Sequence, residues 1–218
     1  MIVLAVDTTS EFGSLALRSG DETLAEMALH APEGFAHLLF PAIEQLLSNT
    51  ALHLDRIDRF AAASGPGSFT GVRIGLAAIK GLAAATGKPA IGVSNLRALS
   101  SFGHLPLRAV LLDARRGEVY AAVYDANLQA VMPETVARLH DWLATLTEPV
   151  YEFIASSEIS LDGTRFAAMP RIQPPKQLAA AVASCAAQDP PADPVLLDAN
   201  YVRRSDAELF WRDPASPH

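Results

Sequence analysis

LAVDTTSEFGSLALR, residues Leu4–Arg18, decides the fold once it is set against VLLDARRGEVYAAVY, residues Val110–Tyr124. Aligned, Asp7 falls on Asp113. In each stretch an apolar strand ends in aspartate, a polar turn follows, and a strand of small residues returns. The order of elements that follows is also shared. After the first come a strand at Thr23–Leu29, a helical apolar repeat over Phe35–Leu47, a strand at Arg59–Ala63 and a helix from about Thr70 to Thr86. After the second come a strand at Gln129–Met132, a helix around Thr135–Leu146, a strand at Val150–Ala155 and an Ala-rich helix at Pro175–Gln188. A repeat of this length points to a duplicated βββαβα unit and not to a solenoid.

Punctuation along the chain supports this division. Pro41 sits inside the Phe35–Leu47 pattern and is expected to kink it or mark a sub-boundary. Gly87 followed by Pro89 stops the helix before them. Ala90–Val93 is strand-like, and Ser94 can N-cap a helix running through Leu99. A second lobe begins near Pro106, with Leu107–Asp113 and Glu118–Tyr124 as its first hairpin. Asp189–Pro194 reads as a linker, and Asp213–His218 as a frayed end. Arg165–Gln173 fits no element. The expected protein is α/β with two lobes, residues 1–105 and residues 106–218 with a flexible tail. Two such units side by side give the actin-like architecture of sugar kinases and Hsp70, in which ligands sit between the lobes at the carboxyl ends of strands.

Composition narrows the function. Half of the 218 residues are hydrophobic and 19% are charged, so the chain can bury a core. The net charge of −7 and the scattered arginines argue against a free-standing nucleic-acid binder. The one cysteine, Cys185, reads as a buried helical thiol. MIVLAVDTTS has no basic region before its Asp, and Ile74–Thr86 contains Lys80 and falls short of a bilayer span. A cytoplasmic protein with no membrane partner is expected.

Two turns could carry chemistry. Asp7, Thr8, Thr9 and Ser10 offer a carboxylate and hydroxyls at a strand end, as a metal–phosphate site needs, or an Asx turn closing a hairpin. No glycine lies between Asp7 and Phe12, and the matching turn from Asp113 to Gly117 lacks the small hydroxyl residues. ATP hydrolysis by this chain is therefore not expected. In SGPGSFTG, residues Ser64–Gly71, the glycines Gly65, Gly67 and Gly71 permit close backbone approach, and Ser68 or Thr70 can cap the helix that follows. Either an anion binds at that helix start or the turn is a tight connection without a ligand. GK[ST] is absent, so this is not a P-loop. The histidines His30, His37, His53, His104, His140 and His218 form no H-x-x-x-H or HExxH pair, and G-x-S-x-G is absent. No catalytic residue, metal or cofactor is assigned. The helix over Val72–Ala85 is rich in Gly and Ala, and like Phe35–Leu47 it is apolar over much of its circumference. That pattern implies a second buried face, hence a subunit interface.

DTTSEFGSLAL, HLLFPAIEQLL, SGPGSFTGVRIGL, GKPAIGVSNL, LLDARRGEVYAAVY and NYVRR, in this order and spacing from Ile2 to about Arg204, resemble the TsaB (YeaZ) family. The resemblance implies a non-catalytic subunit in N6-threonylcarbamoylation of adenosine 37 of tRNAs reading ANN codons. It implies a heterodimer with the catalytic paralogue TsaD, which carries the metal-binding histidines, and an assembly joined by the ATPase TsaE. Contact with tRNA would be indirect, and the chain alone could self-associate. The family's interface helices correspond by motif to Phe35, Leu38, Leu39, Ile43 and Leu46, and to Val72, Gly75, Leu76, Ile79 and Leu82. Two other functions compete. One is an actin-fold small-molecule kinase or ATPase, suggested by Asp7 and its hydroxyl neighbours. The other is an M22-type glycoprotease, a former label of the family, which the missing H-x-x-x-H pair argues against.

Overall fold

The computed structural model describes residues 1–147, 151–155 and 158–202; the frayed end and flexible tail expected after Arg204 lie outside the described residues, as do Val150, Arg203 and Arg204. The first unit is β1 (Ile2–Asp7), β2 (Phe12–Ser19), β3 (Glu22–His30), α1 (Leu39–Asn49), β4 (Arg59–Ala63), α2 (Phe69–Thr86), β5 (Ala90–Val93) and α3 (Asn95–Ser100). The second is β6 (Arg108–Arg115), β7 (Glu118–Tyr124), β8 (Ala130–Arg138), α4 (Leu139–Thr145), β9 (Glu152–Ala155), β10 (Arg171–Ile172) and α5 (Ala179–Gln188).

The strands form two five-stranded sheets, β3-β2-β1-β4-β5 and β8-β7-β6-β9-β10. In each, the unit's first strand pairs antiparallel with its second and parallel with its fourth. The duplication read from Asp7 and Asp113 is therefore present in the topology, and the fold is α/β and actin-like.

Strand alternation builds the layers. In β1 and β4, Leu4, Val6, Phe60 and Ala62 point to the side where α1 and α2 pack. Val3, Ala5, Ala61 and Ala63 point to the other side, against α3 and α5. In the second sheet Val110, Ala122 and Ile154 face that same central layer. Ala109, Leu111, Ala121 and Phe153 face away, toward Trp142 and Leu143 of α4. Each fully buried Leu or Phe in these layers contributes about 1.5–3 kcal/mol. Ala16, Ala61, Ala179, Ala183 and Ala186 all lie in the central layer. Cys185 lies in it, and burial pushes its thiol up to about 11.

The last helix of each unit serves the other half of the molecule. Helix α3 packs on β6 and β7, whereas α5 packs on β1, β2 and β4. Helix α2 is long and apolar enough to cross a membrane by length and composition alone. Its Val72, Leu76, Ile79 and Ala83 lie instead in the core on the first sheet.

Several boundaries differ from those the sequence predicts. Helix α1 begins only at Leu39, so Pro41 is its third residue and breaks no helical bond. Strand β8 continues to Arg138, where the pattern suggested a helix from Thr135. Arg165–Gln173 makes turns that bury Phe166 against Tyr151 and Phe153, then forms β10 alongside β9. Asp189–Pro194 is no loose linker: Arg97 grips Asp189 through two bonds of 2.7 and 2.8 Å, and the chain beyond returns to the first sheet. There Leu197 is buried, and Asn200 N donates to Ser64 O at 2.8 Å.

Helix α5 has no cap from its own sequence neighbours. Ser14 of β2, wholly buried, accepts from Leu178 N at 3.1 Å and from Ala179 N at 3.0 Å. This is an N-cap delivered from the sheet. Ser14→Ala is expected to lower stability by about 0.5–2 kcal/mol, the range for a lost N-cap, in urea unfolding followed by circular dichroism.

Candidate functional site at the crevice and on the outer helices

At the end of β1, Asp7 Oδ1 accepts from Thr9 N at 2.9 Å and from Thr9 Oγ1 at 2.6 Å. The turn is thus an Asx turn. Thr9 Oγ1 in turn accepts from Asn95 Nδ2 at 2.6 Å. Asn95 Oδ1 accepts from Gly65 N at 3.1 Å, and Asn95 N donates to Gly65 O at 2.8 Å. Thr8 Oγ1 donates to Gly71 O at 2.7 Å, and Ser68 N donates to Thr9 O at 2.7 Å. Ser10 stays exposed and bonds Phe12 O. The structure therefore brings Asp7, Thr8, Thr9, Gly65, Gly67, Ser68 and Gly71 into one contiguous cluster, closed by Asn95.

That cluster is tightly packed. A Cβ on Gly67 would stand 2.6 Å from Thr9 O, and one on Gly71 would overlap Thr8 O. Gly65 adopts φ +101°, a left-handed backbone that suits glycine. Ser68 caps α2 by accepting from Gly71 N at 3.3 Å. The amides of Ser68 and Gly71 are thus spent within the protein. Burial raises the Asp7 carboxyl above its ordinary value, and the two bonds from Thr9 oppose this.

The turn opens on a crevice of about 1210 Å³ between the two sheets. On its far wall Asp113 Oδ1 accepts from Arg115 N at 2.9 Å, so the second repeat also ends its first strand in an Asx turn. Arg115 and Arg116 take left-handed backbone there and are exposed. The crevice is somewhat larger than the roughly 300–1,000 Å³ of a usual small-ligand pocket and lies at the carboxyl ends of β1, β4 and β6.

The outer helices require a correction. Phe35, Leu39, Ile43, Leu46, Val72, Gly75, Leu76 and Ile79 are buried in the protein's own core and present nothing to a partner. Of the ten apolar positions expected at an interface, only Leu38 is exposed and Leu82 half-buried. The outward face of the same helices carries Phe40, Phe69, Ala77, Gly81, Ala84 and Ala85 instead. Helical spacing of large apolar residues marks the face that the sheet covers, and the outward faces also carry Glu44 and Gln45 on α1 and Arg73 on α2.

Sequence reasoning missed Asn95 and also Glu134. Glu134 on β8 accepts from Ser94 Oγ and Tyr124 OH, and its Oε2 accepts from Asn200 Nδ2 at 2.6 Å. Burial and the adjacent Glu134 charge keep the Tyr124 hydroxyl protonated far above its ordinary range. Neither residue belongs to a local motif; Ser94-Asn95 after β5 carried a cap signal only. His37, His53, His104 and His140 are exposed and dispersed, and His30 stacks on Phe12 at 4.8 Å. Among the described residues no three His, Cys, Asp or Glu side chains converge.

Two outcomes test this geometry. A buried carboxyl with a raised pKa stabilises the fold below its unfolded value of 3.8 and less so as pH climbs through the folded value. Asp7→Asn keeps an acceptor for Thr9, so its stability relative to the parent should rise from pH 4 to pH 7.5 in urea midpoints; a flat difference would count against a buried, titrating Asp7. Gly71→Ala should cost about 2 kcal/mol or more from overpacking. Gly81→Ala, with nothing within 4 Å of the added methyl, should stabilise by about 0.5–1 kcal/mol.

Comparison with known proteins places this geometry. The sequence model described as "TsaD: tRNA N6-adenosine threonylcarbamoyltransferase" matches residues 29–192. The "tRNA threonylcarbamoyladenosine biosynthesis protein TsaB" of Bacillus subtilis (strain 168) is 35% identical over 153 residues, 68% of this chain and 67% of the relative. The protein of the same description from Escherichia coli (strain K12) is 37% identical over 131 residues, 58% of this chain and 56% of that one. The matched part thus spans two thirds of the first relative and little more than half of the second. A solved structure, "YeaZ from Pseudomonas aeruginosa", superposes with a TM-score of 0.68 at 26% identity, covering 86% of this chain and 91% of that one. A matched family model over most of the chain, these identities and a shared duplicated fold lead to one conclusion: the chain belongs to the TsaB (YeaZ) family, within the wider group that the threonylcarbamoyltransferase model describes.

Proposed function

We propose that this protein is a non-catalytic scaffold subunit for N6-threonylcarbamoylation of adenosine 37 in tRNAs reading ANN codons. It docks on the catalytic paralogue TsaD, the pair recruits the ATPase TsaE, and tRNA is reached through the complex in the cytoplasm. No cofactor is assigned to this chain. The observation that carries the proposal is the outward face of α2, where Ala77, Gly81, Ala84 and Ala85 are exposed, with Phe69 exposed at the start of the helix. Small side chains let a second helix approach to the short end of the 8–10 Å interaxial range. Phe40 and Leu38, at the start of α1, add exposed apolar surface. The Asp7 turn points the same way, because its carboxylate and the nearby amides serve internal bonds.

The crevice of about 1210 Å³ favours a second reading, a small-molecule kinase or ATPase. Calorimetry with Mg-ATP separates the two: tight binding with turnover by this chain alone would support the kinase, and no measurable heat is expected.

The scaffold reading is tested by affinity for the cognate TsaD and by reconstituted tRNA modification. Ala77→Arg and Gly81→Arg change exposed positions and should abolish co-purification, and modification should fail without this protein or with either variant. Undiminished binding by both variants would remove α2 from the interface. Substitutions at Leu39 or Gly75 are uninformative, since both are buried, and a Cβ at Gly75 would already meet Thr8 Oγ1 at 2.5 Å.

A further inference from the structure

Residues 190–202 form a strap that returns from α5 to the first sheet. Leu197 is buried there, and Asn200 N donates to Ser64 O at 2.8 Å, at the exit of β4. Ser64 N in turn donates at 2.8 Å to the carbonyl of Val93, the last residue of β5. Asn200, Ser64 and Asn95 all line the crevice. The strap is therefore part of the wall that the first sheet gives to the crevice.

The second sheet reaches this wall through the side chain of Glu134, half-buried on the edge strand β8. Its Oε1 accepts from Tyr124 OH within its own sheet and from Ser94 Oγ at the exit of β5. Its Oε2 accepts from Asn200 Nδ2 at 2.6 Å. Ser94 is itself fixed, because it caps α3 by accepting from Leu96 N at 3.1 Å. Three neutral donors thus converge on one group that only accepts. Bonds to such a carboxylate are roughly twice as strong as bonds between neutral groups, and a fully bonded network is rigid. Two of the three donors belong to the first-sheet wall and one to the second sheet.

Two further ties join the halves. Arg97 of α3, which packs on β6 and β7, holds Asp189 at the end of α5, which packs on β1 and β2. In the segment between the units, Glu152 Oε2 accepts from His104 N and, at 3.1 Å, from Leu105 N. Arg108 Nε donates to Leu105 O at 3.0 Å. We infer that these ties hold the two sheets at one angle, with Glu134 as the clasp, so that the crevice keeps a single width. Two-lobed enzymes that close around a substrate do so at a few hinge residues that absorb the backbone change. Here the connecting segment is bonded to β6 and β9, and the crevice wall to β8. A crevice of fixed width forgoes the closure by which such enzymes exclude water. This inference is independent of the scaffold reading, and its test needs no partner.

The test places spin labels on the full chain at Ser10→Cys and Arg115→Cys, two exposed positions on opposite walls of the crevice. Cys185 is buried and leaves the introduced thiols to react. Pulsed electron resonance then reads the distance between the walls. The labelled parent should give one narrow distribution. Glu134→Ala and Asn200→Ala should each broaden it about twofold or more, as a freed hinge replaces a fixed angle. Leu46→Ala opens a cavity behind the first sheet and leaves the clasp intact, so it should lower the thermal unfolding temperature and keep the parent's width. Glu134→Gln combined with Asn200→Asp exchanges donor and acceptor and should return the narrow distribution. A parent that is already broad would overturn the fixed crevice. The parent's width in folded Glu134→Ala, or in Asn200→Ala if the first variant does not fold, would overturn the clasp. So would a Leu46→Ala distribution as broad as theirs, or an exchanged pair as broad as Asn200→Ala alone.

Discussion

The contact of Thr8 with the start of α2 is the constraint on which the rest of the structure depends. Thr8 Oγ1 donates to Gly71 O, and the Thr8 carbonyl occupies the space a side chain at residue 71 would need. One turn further, the Thr8 side chain fills the space a Cβ on Gly75 would take. Two glycines on one helix thus receive one threonine. The β1 turn is a wedge under α2 and not an open loop. Its lack of glycine and wealth of hydroxyls follow from that role, because a wedge needs volume and internal hydrogen bonds where a phosphate loop needs bare backbone.

The same economy holds α5 to the far side of the first sheet. Ser14 caps its first turn, and the buried Arg59 guanidinium donates to Ala186 O and, at 2.7 Å, to Asp189 O at its last. A hydroxyl acceptor at the positive end and a cation at the negative end both complement the helix dipole. Both partners are first-sheet residues more than a hundred positions away in sequence. With α3 on the second sheet and α5 on the first, neither sheet covers its inner face with its own final helix alone. Glu134 joins this arrangement from β8 by accepting from Ser94 at the exit of β5 and from Asn200 on the strap. The two sheets are therefore coupled through shared helices and one carboxylate.

What could be read from the sequence followed from local periodicity. The Asp7 and Asp113 echo gave the duplicated sheets, and Ser94, Gly87 and Ser68 marked helix ends that the structure keeps. The errors have physical causes. The large apolar residues of α1 and α2 repeat at helical spacing because the sheet covers them, so they reported the core and were misassigned to an interface. Thr135–Arg138 extended β8 because pairing with β7 outweighed a weak helical pattern. Asn95, Glu134 and Asn200 left no local trace, since each bonds residues 30 or more positions away except where Glu134 meets Tyr124. Ser14 looked like one small strand residue among several, and only the approach of α5 gives it a function.

Glycine in a helix interior costs about 0.5–1 kcal/mol relative to alanine. Helix α2 contains Gly71, Gly75 and Gly81. At Gly71 and Gly75 the cost is recovered inside the molecule, because the missing side chain is what admits Thr8. Gly81 has no such return: it is exposed, and a Cβ there would meet nothing within 4 Å. The isolated chain thus carries an unrecovered penalty on the outward face of its longest helix, flanked by Ala77, Ala84 and Ala85. Close approach of a second helix would recover that penalty by the same means that Thr8 does on the inner face. The two faces of α2 are then governed by one rule, small residues where another backbone comes near, with the partner on one side supplied by this chain and on the other by the proposed complex.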